Sequence, residues 1–386
     1  VTGLVFRLSN FYFWYFAFVG VFAPFFSLYL QRRGFAPFEI AILLGISPAL
    51  RILVPFFWAW LSDRWGEKYR LIVLLALIGP LIFFFIRGGT SLTYVATILT
   101  LWGLVWSGIL PIAEALCAER LGNELSIYGR IRLWGSVGFI LVVLGGGYLF
   151  EMMDLIHLDY VMSLMLVLVT ASIVFLPKDL THQGGVSSVR GGPALKVDRR
   201  IIGLLLCFFM MQFAHGAYNA FFSIFIVENG YSKSTVGWLW AVAVIAEIFI
   251  FLIMPRLFSR FRFNDFFLFC FLIAVLRFSL VAVGFDSIIL LIFSQMMHAI
   301  TFGMFHVAGI AATNEYFSGV YRSRGQALYS SVGFGAGGAL GTFASGLLWE
   351  RFDGPTTFVF SAGVAFVGAG LIYWLRRHDG IDARSS

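Results

Sequence analysis

Phe25-Phe26-Ser27-Leu28-Tyr29-Leu30 recurs 196 residues further on as Phe221-Phe222-Ser223-Ile224-Phe225-Ile226. Each copy closes a long apolar run, and each is followed at the same offset by a glycine, Gly34 and Gly230. A second echo, Ser136-Val137-Gly138-Phe139 against Ser331-Val332-Gly333-Phe334, stands at an offset of 195. The chain therefore reads as two related halves. The offset of 196 also places Arg51 opposite Glu247, each midway along the next apolar run. Opposite charges at matching positions inside membrane-spanning halves point to a transporter with a central site.

The 386 residues are 60% hydrophobic and 12% charged, with a mean hydropathy of +0.90. That balance excludes an ordinary soluble domain. A helix needs ~20 residues to cross a ~30 Å hydrocarbon core. Twelve apolar segments are long enough: 8–31, 38–60, 70–87, 92–117, 128–150, 160–177, 201–227, 235–255, 265–284, 288–312, 326–349 and 356–375. The expected fold is an all-α membrane protein, with twelve transmembrane helices in two pseudo-symmetric six-helix bundles.

A net charge of +7 raises the possibility of nucleic-acid binding, but the distribution argues against it. Of 27 Lys and Arg, Arg32, Arg33, Arg87, Lys233 and Arg351 fall on one side of the spans, Arg51 and Arg277 lie within them, and the other 20 share the side of the termini. The positive-inside rule then puts both termini in the cytoplasm, for a multi-pass protein of the cell inner membrane. The first span lacks a small-residue cleavage pattern and begins one of the repeated halves, so it is expected to be retained rather than removed as a signal peptide.

The longest polar stretch, rich in Gly and Ser, divides six spans from six. The expected domains are an N-terminal bundle over 1–177, a cytoplasmic linker over 178–200 and a C-terminal bundle over 201–386. The second echo opens two Gly-rich helices, with Gly145-Gly146-Gly147 in one and Gly335, Gly337, Gly338 and Gly341 in the other. Small residues at such spacing permit close helix approach, either for sliding or for static packing. Cys117, Cys207 and Cys270 all fall in apolar segments, with no disulfide framework or paired metal spacing. No HExxH or Walker pattern occurs, so no cofactor is expected.

Between spans two and three, Leu61-Ser62-Asp63-Arg64-Trp65-Gly66-Glu67-Lys68 resembles the signature loop of the major facilitator superfamily, matching at Asp63, Arg64, Gly66 and Lys68. The resemblance implies a conformational gate at Asp63, Arg64 and Gly66, where an acid at a helix end beside basic neighbours holds one face of a bundle closed. Simple topology-setting charge is the alternative.

The string Tyr128-Gly129-Arg130-Ile131-Arg132-Leu133-Trp134-Gly135-Ser136 resembles the start of helix five in the proton-coupled lactose permease group. It is closer still to the phenylpropionic acid permeases, which share the Arg-Leu-Trp-Gly-Ser run. Glu114, 16 residues before Arg130, matches the acid that pairs with the second arginine at the sugar site of that group. The resemblance thus implies substrate contact by Glu114 and Arg132. The two also stand about equally far from the turn near residues 122–123, so they reach similar depth and can neutralise one another in a low-dielectric setting. A surface tie between two helices is the alternative.

Arg277, in a Val-Leu-Arg context about 20 residues before His298, resembles the helix-nine arginine of the lactose permease coupling cluster. The acid expected one turn after the histidine is here Thr301. Glu247, midway along span eight, is then the candidate proton carrier beside Arg277 and His298. A permanent ion pair with Arg51 or Arg277 is the other reading of Glu247. Arg51 has no match in lactose permease and suits a carboxylate substrate. His215, Asn219 and His306 are polar points on apolar helices, and Tyr15 and Trp134 are aromatic candidates to line a cavity; ordinary packing accounts for such residues equally well.

The pattern as a whole implies a secondary transporter importing a small organic substrate with protons by alternating access, an aromatic or other carboxylic acid before a sugar or nucleoside. Import rests on the proline-free stretch 135–150, since exporters of the superfamily carry Gly-Pro in helix five. A proton-coupled exporter of a metabolite or drug is the alternative within the fold, and a non-transporting membrane sensor the alternative outside it. No nucleophile–base or metal constellation suggests an enzyme. The expected partners are the substrate, protons and the lipid bilayer, with the chain acting as a monomer and binding no nucleic acid.

Overall fold

The computed structural model describes residues 2–121, 125–177, 199–317 and 319–378. Among them are sixteen α-helices and no strand. They make twelve helical spans, one for each expected apolar segment, most of them running a few residues beyond the expected ends. The polar stretch 178–198 lies outside the described residues.

In the first half, α1 (Thr2–Arg32) is one span, and α2 (Pro37–Leu50) and α3 (Val54–Trp65) share the second. Next come α4 (Lys68–Phe84), α5 (Leu92–Leu121), α6 (Leu125–Met152) and α7 (Leu158–Val174). In the second half, α8 (Arg199–Ala214) and α9 (Gly216–Glu228) share a span, followed by α10 (Lys233–Phe258) and α11 (Phe263–Val283). The tenth span joins α12 (Ile288–His298) to α13 (Phe305–Tyr316) through a π-helical turn, Ala299–Met304. The eleventh joins α14 (Arg322–Leu328) to α15 (Gly338–Arg351) through a π-helical stretch, Tyr329–Gly337. The last is α16 (Gly354–His378).

The chain divides into two compact units. One holds the described residues before 187 together with Tyr231–Ala241; the other holds those from 199 to Gly230 and from Val242 onward. Each unit is organised by its first span. In both, the repeated hexapeptide is the enclosed end of that span: every residue of Phe25–Leu30 and of Phe221–Ile226 is buried. The glycines that follow are left-handed, with φ of 86° at Gly34 and 84° at Gly230. At Gly34 the amide bonds to the Gln31 carbonyl at 2.9 Å, and the Phe35 amide bonds to that of Leu30 at 3.2 Å. At Gly230 the amide reaches Val227 at 3.0 Å. These bonds close the helix end with a Schellman-type turn, which an L side chain resists.

The second echo is a helix-crossing device. A Cβ at Gly20 of α1 would stand 2.9 Å from the Phe139 carbonyl oxygen of α6, and one at Gly138 would strike the carbonyl of Phe13. In the second unit the aligned Gly333 stands off, 3.3 Å from the Phe208 Cβ. Gly337, one turn later, makes the close approach instead, 2.5 Å from the Phe209 carbonyl oxygen. The π-helical stretch Tyr329–Gly337 separates these two registers. Gly216 likewise abuts the backbone of Gly341, pinning α9 to α15 at the point where α8 ends. These glycines let the helices approach closely.

At one end of the first unit, Arg32 holds Asp154 through two guanidinium nitrogens, the shortest contact being 2.6 Å. The Arg32 guanidinium, then the Ile156 amide, keep the Asp154 carboxyl below its ordinary range. This clamp is therefore complete above the usual aspartate pKa and is lost only as pH falls through the lowered value.

Replacing Gly230 or Gly34 with Ala costs about 1–2 kcal/mol each, the strain of an L residue in the left-handed region. It is read as a lower melting temperature of the purified protein. Gly145→Ala, whose Cβ meets nothing within 4 Å, leaves the melting temperature unchanged or raises it.

Candidate functional site

The first unit carries a half-exposed ion pair about a quarter of the way along its two helices. Glu114 stands seven residues before the end of α5, and Arg132 seven residues after the start of α6. At 1.5 Å per residue both lie about 10 Å from the turn. The pair forms, with Arg132 Nη1 donating to Glu114 Oε1 at 2.9 Å and 45% and 38% of the two side chains exposed. Tyr128, one turn before Arg132, accepts a longer bond of 3.4 Å from the same nitrogen. The Phe16 ring of α1 lies 5.9 Å from the Arg132 guanidinium carbon.

Arg51 stands at a break in its helix. Pro48 lies inside α2, and Pro55 has no N–H to offer the Arg51 carbonyl, so the helix opens into a turn over residues 51–53. The break leaves Arg51 exposed at the end of α2. Tyr15 is buried and stacks on Trp106, with ring centroids 4.5 Å apart and planes 3° from parallel. Trp134 does not join them. It stands two residues from Arg132, about 200° round the helix, and is exposed on the opposite side.

The second unit carries a buried cluster around Arg277, whose side chain is 0% exposed. Its Nε donates to the Ser294 carbonyl at 3.0 Å, and its Nη1 to Thr301 Oγ1 and toward His215 Nε2, both at 3.1 Å. The guanidinium lies over the Tyr218 ring, 4.2 Å from its centroid. A guanidinium only donates, so His215 Nε2 is the acceptor and the imidazole proton sits on Nδ1, which donates to the Met211 carbonyl at 2.8 Å. His215 is thus a neutral ligand of Arg277, set at the junction of α8 and α9.

Glu247 is paired within its own unit, 3.0 Å from His298 Nε2, with 14% of its side chain exposed. The π-helical turn serves both groups. It turns Thr301 to Arg277, and it brings Gly303 against Glu247, where a Cβ would stand 3.2 Å from the Glu247 Cγ. Tyr218 donates to Gln295 at 2.9 Å, and Gln295 to Ser294 Oγ at 3.1 Å.

Two polar residues stand apart from the Arg277 cluster. His306 Nδ1 lies 2.7 Å from the Tyr329 hydroxyl. Asn219 is the one exposed position within the buried stretch 214–226. In the signature loop, Gly66 caps α3 with φ 68°, its amide reaching the Ser62 carbonyl at 3.1 Å. Arg64 lies over the Trp60 ring, and Lys68 is ion-paired to Glu119 of α5. The Asp63 side chain lies outside the described residues.

Sequence reasoning missed Ser294, Tyr218, Gln295, Tyr128 and Trp106. The signal for span ten was present. Ser294, His298 and Thr301 fall at i, i+4 and i+7, a polar stripe on an apolar helix.

Twelve spans, with a half-exposed ion pair in one unit and a buried charged cluster in the other, define a membrane transport protein. The chain belongs to the MFS_1 like family, whose model matches residues 5–360. It is 31% identical over 351 residues to the "Probable 3-phenylpropionic acid transporter" of Escherichia coli (strain K12), covering 88% of this chain and 89% of that one. It is 25% identical over 375 residues to the maltose permease of Geobacillus stearothermophilus, covering 96% and 94%. Among solved structures, the nucleoside transporter NupG superposes with a TM-score of 0.86 at 17% identity, covering 97% of this chain and all of that one. The major facilitator fold and the likeness to aromatic-acid permeases read from the motifs both hold.

Thr301→Val leaves a buried guanidinium N–H without its acceptor and costs about 1–3 kcal/mol. Thr301→Ser keeps the hydroxyl and most of the stability. Thermal unfolding of the two purified variants measures the difference.

Proposed function

We propose that this protein is a proton-coupled importer of a small carboxylic acid, aromatic acids first, working by alternating access between a bundle over 1–177 and one over 201–386, joined by a linker over 178–200. The observation that carries the reading is an accessible guanidinium in the first unit. Arg132 is 45% exposed at its ion pair with Glu114, and Tyr15 stacks on Trp106 in the same unit. A carboxylate substrate can exchange for Glu114 at Arg132, its ring suits an aromatic neighbourhood, and Arg51 is assigned to the same role. The named substrate of the 31% identical relative supports the same class.

Glu247 and His298 are the proton carriers in this account, and Arg277 is the fixed positive charge that biases them. A carboxylate and an imidazole 3.0 Å apart can hold one proton between them with little motion. Asn219 and His306 are assigned to the cavity wall, and Asp63, Arg64 and Gly66 to the gate. The positive-inside distribution supports an inner-membrane protein with cytoplasmic termini. Each unit buries its own core, which supports function as a monomer.

A second reading, a sugar or nucleoside symporter, is favoured by the maltose permease relative and by the likeness to nucleoside permeases. Uptake into proteoliposomes separates the two. Labelled 3-phenylpropionate, maltose and uridine are each offered with and without an inward proton gradient. The account expects acid uptake that rises with the gradient and collapses with a protonophore. Acid uptake indifferent to the gradient contradicts the coupling, and uptake of maltose or uridine alone contradicts the substrate class.

A further inference from the structure

Five arginines on three helices lie at one end of the second unit. Arg199 and Arg200 open α8, Arg262 precedes α11, and Arg376 and Arg377 close α16; all five are exposed. Two contacts hold these helix ends together. Gly203, one turn into α8, lies so near α16 that a Cβ there would stand 2.7 Å from Leu375 Cδ1. Asp265, in the first turn of α11, is ion-paired to Arg376 at 3.1 Å. The patch keeps an excess of positive charge even when Asp198, Asp379 and Asp382 of the adjoining sequence are set against Lys196 and Arg384.

The charge continues into an apolar strip on the same helix faces. Ile202 and Leu206 follow Arg199 at i+3 and i+7, on one face of α8, with 49% and 45% of each exposed. Trp374 and Tyr373 precede Arg377 by three and four residues on α16, and are 51% and 47% exposed. The Arg377 guanidinium lies 4.6 Å from the Tyr373 ring centroid. Amphipathic aromatics beneath a basic rim are the composition of a membrane interface.

We propose that this patch binds the phosphate of an anionic phospholipid, with the acyl chains lying along the Ile202–Leu206 and Tyr373–Trp374 faces. Guanidiniums at three helix ends suit a phosphate that presents several acceptor oxygens. A soluble phosphate shares the headgroup chemistry but makes no use of the apolar strip.

The test uses the full-length protein in detergent, titrated with fluorescent phosphatidylglycerol and, separately, with phosphatidylcholine carrying the same label. Arg199→Gln, Arg200→Gln and Arg377→Gln are combined in one variant, sparing the Arg376–Asp265 pair. A control variant removes three arginines elsewhere, Arg7, Arg130 and Arg324, each to Gln. A basic residue near an anionic headgroup contributes about fivefold. The proposal therefore expects a preference of wild type and control for phosphatidylglycerol that falls tenfold or more in the patch variant and weakens with salt. Equal binding of the two lipids by wild type overturns it, as does an undiminished preference in the patch variant. Displacement of the labelled lipid by inorganic phosphate at matched concentration also overturns it, because the site is then one for a soluble anion.

Discussion

A guanidinium removed from water is the constraint around which the second unit is arranged. Arg277 is fully buried on an apolar helix and keeps its charge, so its hydrogens call for acceptors; Nε and Nη1 find them, while Nη2 has no hydrogen-bond partner among the described residues. Leaving such a charge without partners costs several kcal/mol. The partners come from two other spans, the seventh and the tenth. His215 stands where α8 gives way to α9, Thr301 lies on a π-helical turn, and Ser294 offers a backbone carbonyl. The Tyr218 face covers the remaining side. All of these acceptors are neutral, while the nearby carboxylate, Glu247, is hydrogen-bonded to His298 instead. The buried positive charge therefore acts on Glu247 without being cancelled by direct contact, the arrangement a reversible proton site requires.

The first unit resolves its charges differently. Glu114 and Arg132 meet at 2.9 Å but remain about two-fifths exposed, and Arg51 stands where prolines on either side open its helix. Irregular backbone at membrane depth is tolerated where it is enclosed by protein or lines a water-filled cavity. The two units thus share a scaffold, the buried repeats ending at Gly34 and Gly230, but differ in how open their charges are. An open cluster suits a substrate that must enter and leave; a closed one suits a proton, which needs no space. Helical irregularity marks both, as the turn over 51–53 in one and two π-helical segments in the other, and such departures concentrate at functional sites.

Most of the fold was legible because burial in a membrane leaves few choices. All twelve spans followed from apolar length, and the repeated hexapeptide marked the first span of each unit. The Glu114–Arg132 contact was implied by the likeness to the lactose permease group and supported by equal distances to a turn. What escaped had a local cause. The break at Arg51 was signalled by Pro48 and Pro55, yet apolar content alone reads 38–60 as a continuous span. The π-helical segments shift bonding by one residue and leave no compositional mark, so the change of register from Gly333 to Gly337 was invisible. Glu247 was grouped with Arg277 and His298, but its direct partner was left between Arg51 and Arg277, whereas the contact runs to His298 on a neighbouring helix of its own unit. Trp134 sat in the most informative motif, but a spacing of two residues turns it away from Arg132.

The central claim is that substrate charge and proton are held by different units. It is tested most directly by Glu247→Gln, measured in two ways on the same proteoliposomes. The account predicts that this variant still exchanges labelled for unlabelled acid across the membrane at a rate near wild type, yet no longer accumulates acid against its gradient when the outside is acidified. Accumulation driven by the proton gradient in the Gln variant would contradict the claim, because the proton would then travel by another group.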